Sequence, residues 1–253
     1  MFWRITWFEI SYWLRSKMLW VFFGVIALMV FAAVSTNNVQ LFIVLTNTHH
    51  NAPFVISGYY GYLSLFVLLM AAAFVNSAAL RDFRFNTNQI VFSTPMRRRD
   101  YLLGRFIGAT LVSAIPMLGV SAGILLAKYM PWVDPVQWGP VSWTAHLHAI
   151  LVFALPNALI IAAILYAVAV LARNEVMPFI AALVLLIGYI AAGVLLQDLR
   201  HEQFVIFADP FGIRTFALTA TENTPVEPLG GPGGRFQRNS GRPRSFSATV
   251  RQG

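Results

Sequence analysis

The chain has 253 residues, 58% hydrophobic and 11% charged, with a mean hydropathy of +0.66. Soluble domains carry roughly 45–50% apolar and about 25% charged residues, so this composition excludes a water-soluble globule and places the chain in a membrane. The formal net charge of +8 sits in membrane-flanking loops and a low-complexity tail, which points to anionic lipids and not to nucleic acid. With no cysteine in the chain, disulfides, thiolate metal sites and cysteine catalysis are excluded.

Residues 2–15 are aromatic and weakly charged. Phe2, Trp3, Trp7, Phe8, Tyr12 and Trp13 suit the headgroup region, and Arg4, Glu9, Arg15 and Lys17 supply a polar side, so the spacing predicts an interfacial helix. No cleavable signal pattern surrounds the apolar run that follows, which reads as a retained anchor. Five stretches are long enough to cross a hydrocarbon core of about 30 Å: residues 18–34, 60–80, 102–127, 147–172 and 177–196. Pro116 and Pro156 fall inside spans and predict kinks.

Loop 81–105 carries Arg81, Arg84, Arg97, Arg98, Arg99 and Arg105 against Asp82 and Asp100. Leu80, Phe83, Thr87, Ile90 and Val91 fall at helical spacing, which predicts a short amphipathic helix at the membrane surface. Thr94 and Pro95 are the expected N-cap and first residue of the next helix. Retained basic residues mark the cytoplasmic side. Arg4, Arg15, Lys17, the six loop arginines and Arg173 lie on one side of the predicted spans, against Lys128, Arg200 and Arg214 on the other. The N-terminus is therefore expected in the cytoplasm.

The opposite loops are apolar and aromatic. Residues 40–45 and 204–207 are too short to span, and Pro131, Trp132, Pro135, Trp138, Pro140 and Trp143 predict a stiff interfacial cap. Residues 218–253 are rich in Gly, Pro and Arg and nearly free of large aliphatic side chains, so they read as a disordered tail behind a single permease-like domain, 1–217. The expected fold is an all-α, polytopic membrane helix bundle with about five transmembrane helices and an N-terminal interfacial helix.

No zinc-hydrolase, serine-hydrolase or nucleotide-binding motif occurs. No catalytic, cofactor-binding or metal residue is assigned. The pairs His49-His50 and His146/His148 lack carboxylates at ligand spacing and suit interfacial hydrogen bonding. Arg105 and Lys128 lie near enough to span ends to snorkel, and Asn76 and Asn157 suit hydrogen bonds to neighbouring helices. With no charge left inside the membrane, any work on a substrate must be powered by a partner.

Three segments carry a resemblance: F-E-I-S-Y-W-L-R-S-K at 8–17, R-D-F-R-F-N-T-N-Q-I-V-F-S-T-P-M-R-R-R-D-Y-L-L-G-R-F at 81–106, and D-P-F-G-I-R at 209–214. Together they resemble the type-2 ABC transporter permeases, and within them the bacterial permeases that sometimes occur fused to a zinc aminopeptidase domain. The resemblance covers about residues 1–216. It implies an exporter permease subunit in the bacterial inner membrane, a second permease protomer (homo- or heterodimer), and a separate ABC ATPase docked on a coupling helix. That helix would hold Arg81, Asp82, Phe83, Arg84, Ile90 and Val91, with Arg97, Arg98, Arg99 and Asp100 at the base of the third span. Such a permease unit has six spans, so the loss of pattern after Arg214 is expected to reflect a truncated or frame-shifted chain. The alternatives are the membrane part of a membrane-anchored zinc aminopeptidase, or a membrane anchor that transports nothing.

Overall fold

A computed structural model describes residues 1–36, 49–87, 89, 93 and 96–195, with side chains to residue 192. Among them every regular element is a helix, as expected from the apolar runs. In chain order they are α1 (Phe2–Leu14), α2 (Lys17–Ser35), α3 (Pro53–Arg84), α4 (Arg98–Ala114), α5 (Leu118–Lys128), α6 (Trp143–Ala149), α7 (Leu155–Ala172) and α8 (Met177–Leu195). Four helical stretches are long and apolar enough to cross a membrane: Lys17–Ser35, Pro53–Arg84, Arg98–Lys128 and Trp143–Ala172. The fifth expected span is met by a shorter apolar helix, Met177–Ala192. Residues 40–45, Thr94, Pro95, Ile90, Val91, 204–207, 209–214 and the tail 218–253 lie outside the described residues.

Both in-span prolines disturb their helices. Pro116 lies in a 3₁₀ turn, Ile115–Met117, that joins α4 to α5. A π turn, Ile150–Ala154, precedes Pro156 and joins α6 to α7. Proline lacks the N–H that would continue the ladder, and its ring crowds the preceding turn.

The bundle is organised around α3, which is buried over most of its length and packs against α4, α6, α7 and α8. Two glycine pairs spaced four apart set the close approaches. Gly104 and Gly108 admit α1, and Gly119 and Gly123 admit α2; a Cβ at Gly108 would sit 2.6 Å from Glu9 Cβ, and one at Gly123 would sit 2.5 Å from the Ala27 carbonyl. Small residues at this spacing let helix backbones meet closely in a membrane. Outward, α7 and α8 show Leu159, Ile164, Phe179, Leu183 and Ile187, an apolar surface suited to lipid.

The N-terminal helix departs from the sequence expectation at Glu9, while Arg4 and Arg15 are exposed. Its aromatic residues Trp3, Trp7, Phe8 and Tyr12 are exposed, while Thr6, Glu9 and Trp13 are buried. Glu9 therefore belongs to the face packed on α4, where Thr6 Oγ1 donates to the Gly104 carbonyl at 3.2 Å. An acid inside a membrane protein needs charged partners, and the bundle supplies them.

At the end of the bundle opposite the arginine loop, Asn51 clasps the aromatic cap. Its amide nitrogen donates to the carbonyls of Gly139 and Pro140 at 2.8 and 2.9 Å, and its oxygen accepts from Gly139 N at 2.8 Å. Lys128 is half-buried, and its Nζ donates to the same Gly139 carbonyl at 3.0 Å. His50 is buried, its Nδ1–H donating to the Val34 carbonyl at 3.0 Å. Burial pushes the His50 pKa below its ordinary value, with His49 adding to the shift and the Val34 bond opposing it.

Candidate functional site

The arginine-bearing end of the bundle holds a buried ionic cluster built from three helices. The last turn of α3 contributes Arg81 and Asp82, α4 contributes Tyr101 and Arg105 one turn apart, and α1 contributes Glu9. Arg81 Nη2 donates to Glu9 Oε2 at 2.9 Å, and its guanidinium lies 3.9 Å from the centre of the Tyr12 ring. Arg105 reaches both acids: Nη1 is 3.2 Å from Glu9 Oε1, and Nη2 donates to Asp82 Oδ2 at 2.6 Å. It also donates to the Ala78 carbonyl at 2.9 Å. Asp82 further accepts from the Tyr101 hydroxyl.

The Glu9 side chain is 0% exposed, against 10% for Arg81 and 8% for Arg105. Burial raises the Glu9 pKa above its ordinary value, against the opposing pull of the Arg81 and Arg105 guanidiniums. Two cations and two acids balance, which is the condition under which charges are tolerated away from water. Such clusters contribute little net stability, but removing one partner is costly because it leaves a buried charge unpaired. Here they fix α1 and the base of α4 against the tip of α3.

Four sequence expectations change at this point. Arg105 does not snorkel; it is turned inward. Glu9 is not on a solvated face. Arg81, Asp82, Phe83 and Arg84 do not sit on a separate surface helix but form the last turn of α3. The continuous helical spacing from Leu80 to Val91 is interrupted, because α3 ends at Arg84 and Asn86 takes a left-handed φ of 54°. Asn tolerates that conformation better than most residues. Thr87 N then returns to the Asp82 carbonyl at 2.9 Å, which fastens the exit of the chain to the cluster.

Of the coupling residues, Arg81 and Asp82 are thus committed to internal partners. Phe83 and Arg84 face outward beside the α7–α8 turn: Arg84 Nε is 3.7 Å from Glu175 Oε1, and Arg173 lies 5.9 Å from the Phe83 ring. α4 begins at Arg98 with Arg97 as its N-cap, so the arginine triplet stands at the base of that span. Sequence reasoning missed Glu9, Tyr101 and Arg105 as cluster members. The available signal was Tyr101 and Arg105 at i, i+4 beside Gly104 and Gly108.

A second polar seam runs through the other half of the bundle. Asn157 Nδ2 donates to Ser64 Oγ at 2.9 Å, and Ser64 Oγ donates to the Tyr60 carbonyl at 2.7 Å. The Tyr60 hydroxyl meets Ser121 Oγ at 2.7 Å, and Ser121 Oγ meets His146 Nδ1 at 2.8 Å. Asn76 donates to the Glu175 carbonyl at 2.7 Å. Asn157 therefore joins α7 to α3, Asn76 ties α3 to the turn between α7 and α8, and His50 and His146 make hydrogen bonds near one end. Among the described residues no group of three His, Asp or Glu is placed to hold a metal ion.

No curated protein and no solved structure matches the chain. A family model described as ABC-2 family transporter protein matches residues 3–219, a stretch that contains every helix described above but for the first residue of α1. Members of this family are the membrane components of transporters and associate with an ABC ATPase subunit. The chain belongs to the ABC-2 transporter family and is a multi-pass permease component of an ABC transporter.

Proposed function

We propose that the chain is the permease subunit of an ATP-driven exporter in a bacterial inner membrane, with its N-terminus and arginine-bearing end in the cytoplasm. The observation that carries this reading is the ionic cluster. It joins the N-terminal helix, the tip of α3 and the base of α4 into one rigid unit, at the end of the bundle where the described Lys and Arg residues other than Lys128 collect. A soluble ATPase pressing on the connection between α3 and α4 would move all three helices together. Retained basic residues favour the cytoplasmic face for that end, and the exposed Trp and Arg side chains of α1 suit anionic lipid headgroups there. The likeness of residues 81–106 to bacterial permeases that occur fused to a zinc aminopeptidase domain supports the bacterial inner membrane as its seat. The permease unit is residues 1–217.

The coupling residues divide by role. Phe83 and Arg84 are exposed on the last turn of α3 and supply contacts, with Ile90 and Val91 following in the connection. Arg81 and Asp82 position that turn from beneath. Because α3 fills the middle of the bundle, a substrate path is better placed between this chain and a second protomer, homologous or identical, than through a single copy.

The test is co-purification of the ATPase with the chain. Apolar interface anchors typically cost more than about 2 kcal/mol when truncated, while rim charges act on association rate and salt sensitivity. Phe83→Ala is expected to release the ATPase from the membrane fraction, and Arg84→Ala to weaken retention in a salt-dependent way. Retention of the ATPase by Phe83→Ala at the unmodified level removes this docking surface from the reading.

A further inference from the structure

Beside the ionic cluster, between α1, the start of α2, the tip of α3 and the start of α8, lies a cavity of about 710 Å³. Its lining divides into two parts. Trp13, Asn76, Arg81, Arg84 and Glu175 form a polar part; Met18, Leu80, Val176 and Phe179 form an apolar wall.

The polar part is incompletely satisfied. Trp13 Nε1, Arg81 Nε and Nη1, and Asn76 Oδ1 are buried without a hydrogen-bond partner. Trp13 is 6% exposed and Asn76 is 8% exposed. Most buried polar atoms find partners, so four unpartnered atoms on three residues around one cavity mark a place suited to a polar ligand. Three of the four are N–H donors, two of them on a guanidinium, and they call for an oxyanion. The fourth is an amide oxygen that calls for a donor, and the half-exposed Glu175 carboxylate, 3.7 Å from Arg84 Nε, adds a negative charge that suits a positive one. Lys17 opens α2 and Arg84 closes α3 at this level, where a bilayer keeps its headgroups.

We infer that this cavity binds the phosphoethanolamine headgroup of a membrane phospholipid, its phosphate against Arg81, Arg84 and Trp13, its ammonium against Asn76 and Glu175, and an acyl chain along the apolar wall. A free phosphate would serve the donors and leave the acceptors and the apolar wall unused. A choline headgroup carries charge but no N–H for Asn76. The inference rests on the chain being seated in a bilayer and shares Arg84 with the proposed ATPase contact, so it is tested in the absence of ATPase.

The experiment is native mass spectrometry of the full chain, delipidated in detergent without ATPase and offered equal amounts of phosphatidylethanolamine, phosphatidylglycerol and phosphatidylcholine. One phosphatidylethanolamine is expected to be retained in preference to the other two. Trp13→Phe keeps the ring packed on Phe74 and deletes only the N–H, and Arg84→Gln removes an exposed rim charge outside the ionic cluster. Each is expected to lower retention about tenfold, the effect of losing one hydrogen bond to a charged group. Glu175→Gln is expected to erase the preference over phosphatidylcholine. Equal retention of the three lipids, or retention unchanged in both Arg84→Gln and a folded Trp13→Phe, overturns the inference. So does displacement of the lipid by inorganic phosphate at comparable concentration, which assigns the cavity to a free anion. Should Trp13→Phe fail to fold, Arg84→Gln and Glu175→Gln decide the matter by themselves.

Discussion

Replacing Gly108 by alanine tests whether the N-terminal helix is held by close approach and by the ionic cluster together. The added Cβ would sit 2.6 Å from Glu9 Cβ and 3.2 Å from the Thr6 carbonyl, whereas ordinary contact begins at 3.4 Å. α1 must retreat by about 0.8 Å to relieve the first contact. Glu9 moves with it, and the 2.9 Å bond to Arg81 is stretched toward the limit of hydrogen bonding. Overpacking costs about 1–3 kcal/mol. Losing a hydrogen bond to a charged group costs about 1.5–3 kcal/mol, and Gly→Ala in a helix returns about 1 kcal/mol. The net expectation is a loss of about 1.5–5 kcal/mol. Gly24→Ala is the control, since nothing lies within 4 Å of its added Cβ. Thermal unfolding in detergent measures the difference. A thiol at Thr6, which is 2% exposed in the folded chain, reports whether α1 has lifted, and the chain has no other cysteine to confuse the label. If Gly108→Ala melts with Gly24→Ala and leaves the thiol protected, α1 is not seated through this contact and the account of the cluster fails.

The remaining expectations concern orientation and pH. Single cysteines at Phe85 and Tyr129, exposed at opposite ends of the bundle, should differ in labelling of intact cells by an impermeant reagent; reaction at position 85 and protection at 129 would reverse the proposed orientation. Because the folded-state pKa of His50 is depressed, the unfolded chain binds its proton more readily as pH falls below about 6.5. Acidification through that range should therefore weaken the cap held by Val34, His50 and Trp138, and His50→Gln should flatten the dependence of the melting temperature on pH. An unchanged pH profile in His50→Gln would show that another group sets it.

Hydropathy located the membrane helices because a bilayer imposes both length and polarity on whatever crosses it. Proline marked the two irregular turns, at Ile115–Met117 and Ile150–Ala154, because its missing N–H acts locally. The ionic cluster was harder to read. Glu9 is separated from Arg81 by 72 positions, and only the folded bundle decides that the face of α1 carrying Thr6, Glu9 and Trp13 turns inward. The aromatic face of the same helix suits a bilayer interface, so periodicity along α1 alone grouped Glu9 with the exposed Arg4 and Arg15. Arg105 was misplaced for a related reason: nearness to the end of a span suggests escape to water, yet the acids of two other helices offer a nearer charge. The glycine spacing at 104 and 108 was visible in the chain, but its meaning depends on which helix comes to lie there.

The two longest transmembrane stretches differ mechanically. α3 is a single helix of 32 residues, about 48 Å from end to end at 1.5 Å per residue, and exceeds the hydrocarbon core of about 30 Å. It carries no internal proline or non-α turn, so it behaves as a rod whose tip and far end tilt as one piece. Its neighbour is jointed at Pro116, with α1 fastened below the joint and α2 above it. A sideways push on the tip of the rod would therefore reach Tyr60 and the outer polar seam undiminished, while the jointed helix absorbs the same push by bending. Stiffness in one strut and compliance in the next allow the two ends of the bundle to open by different amounts under a single load.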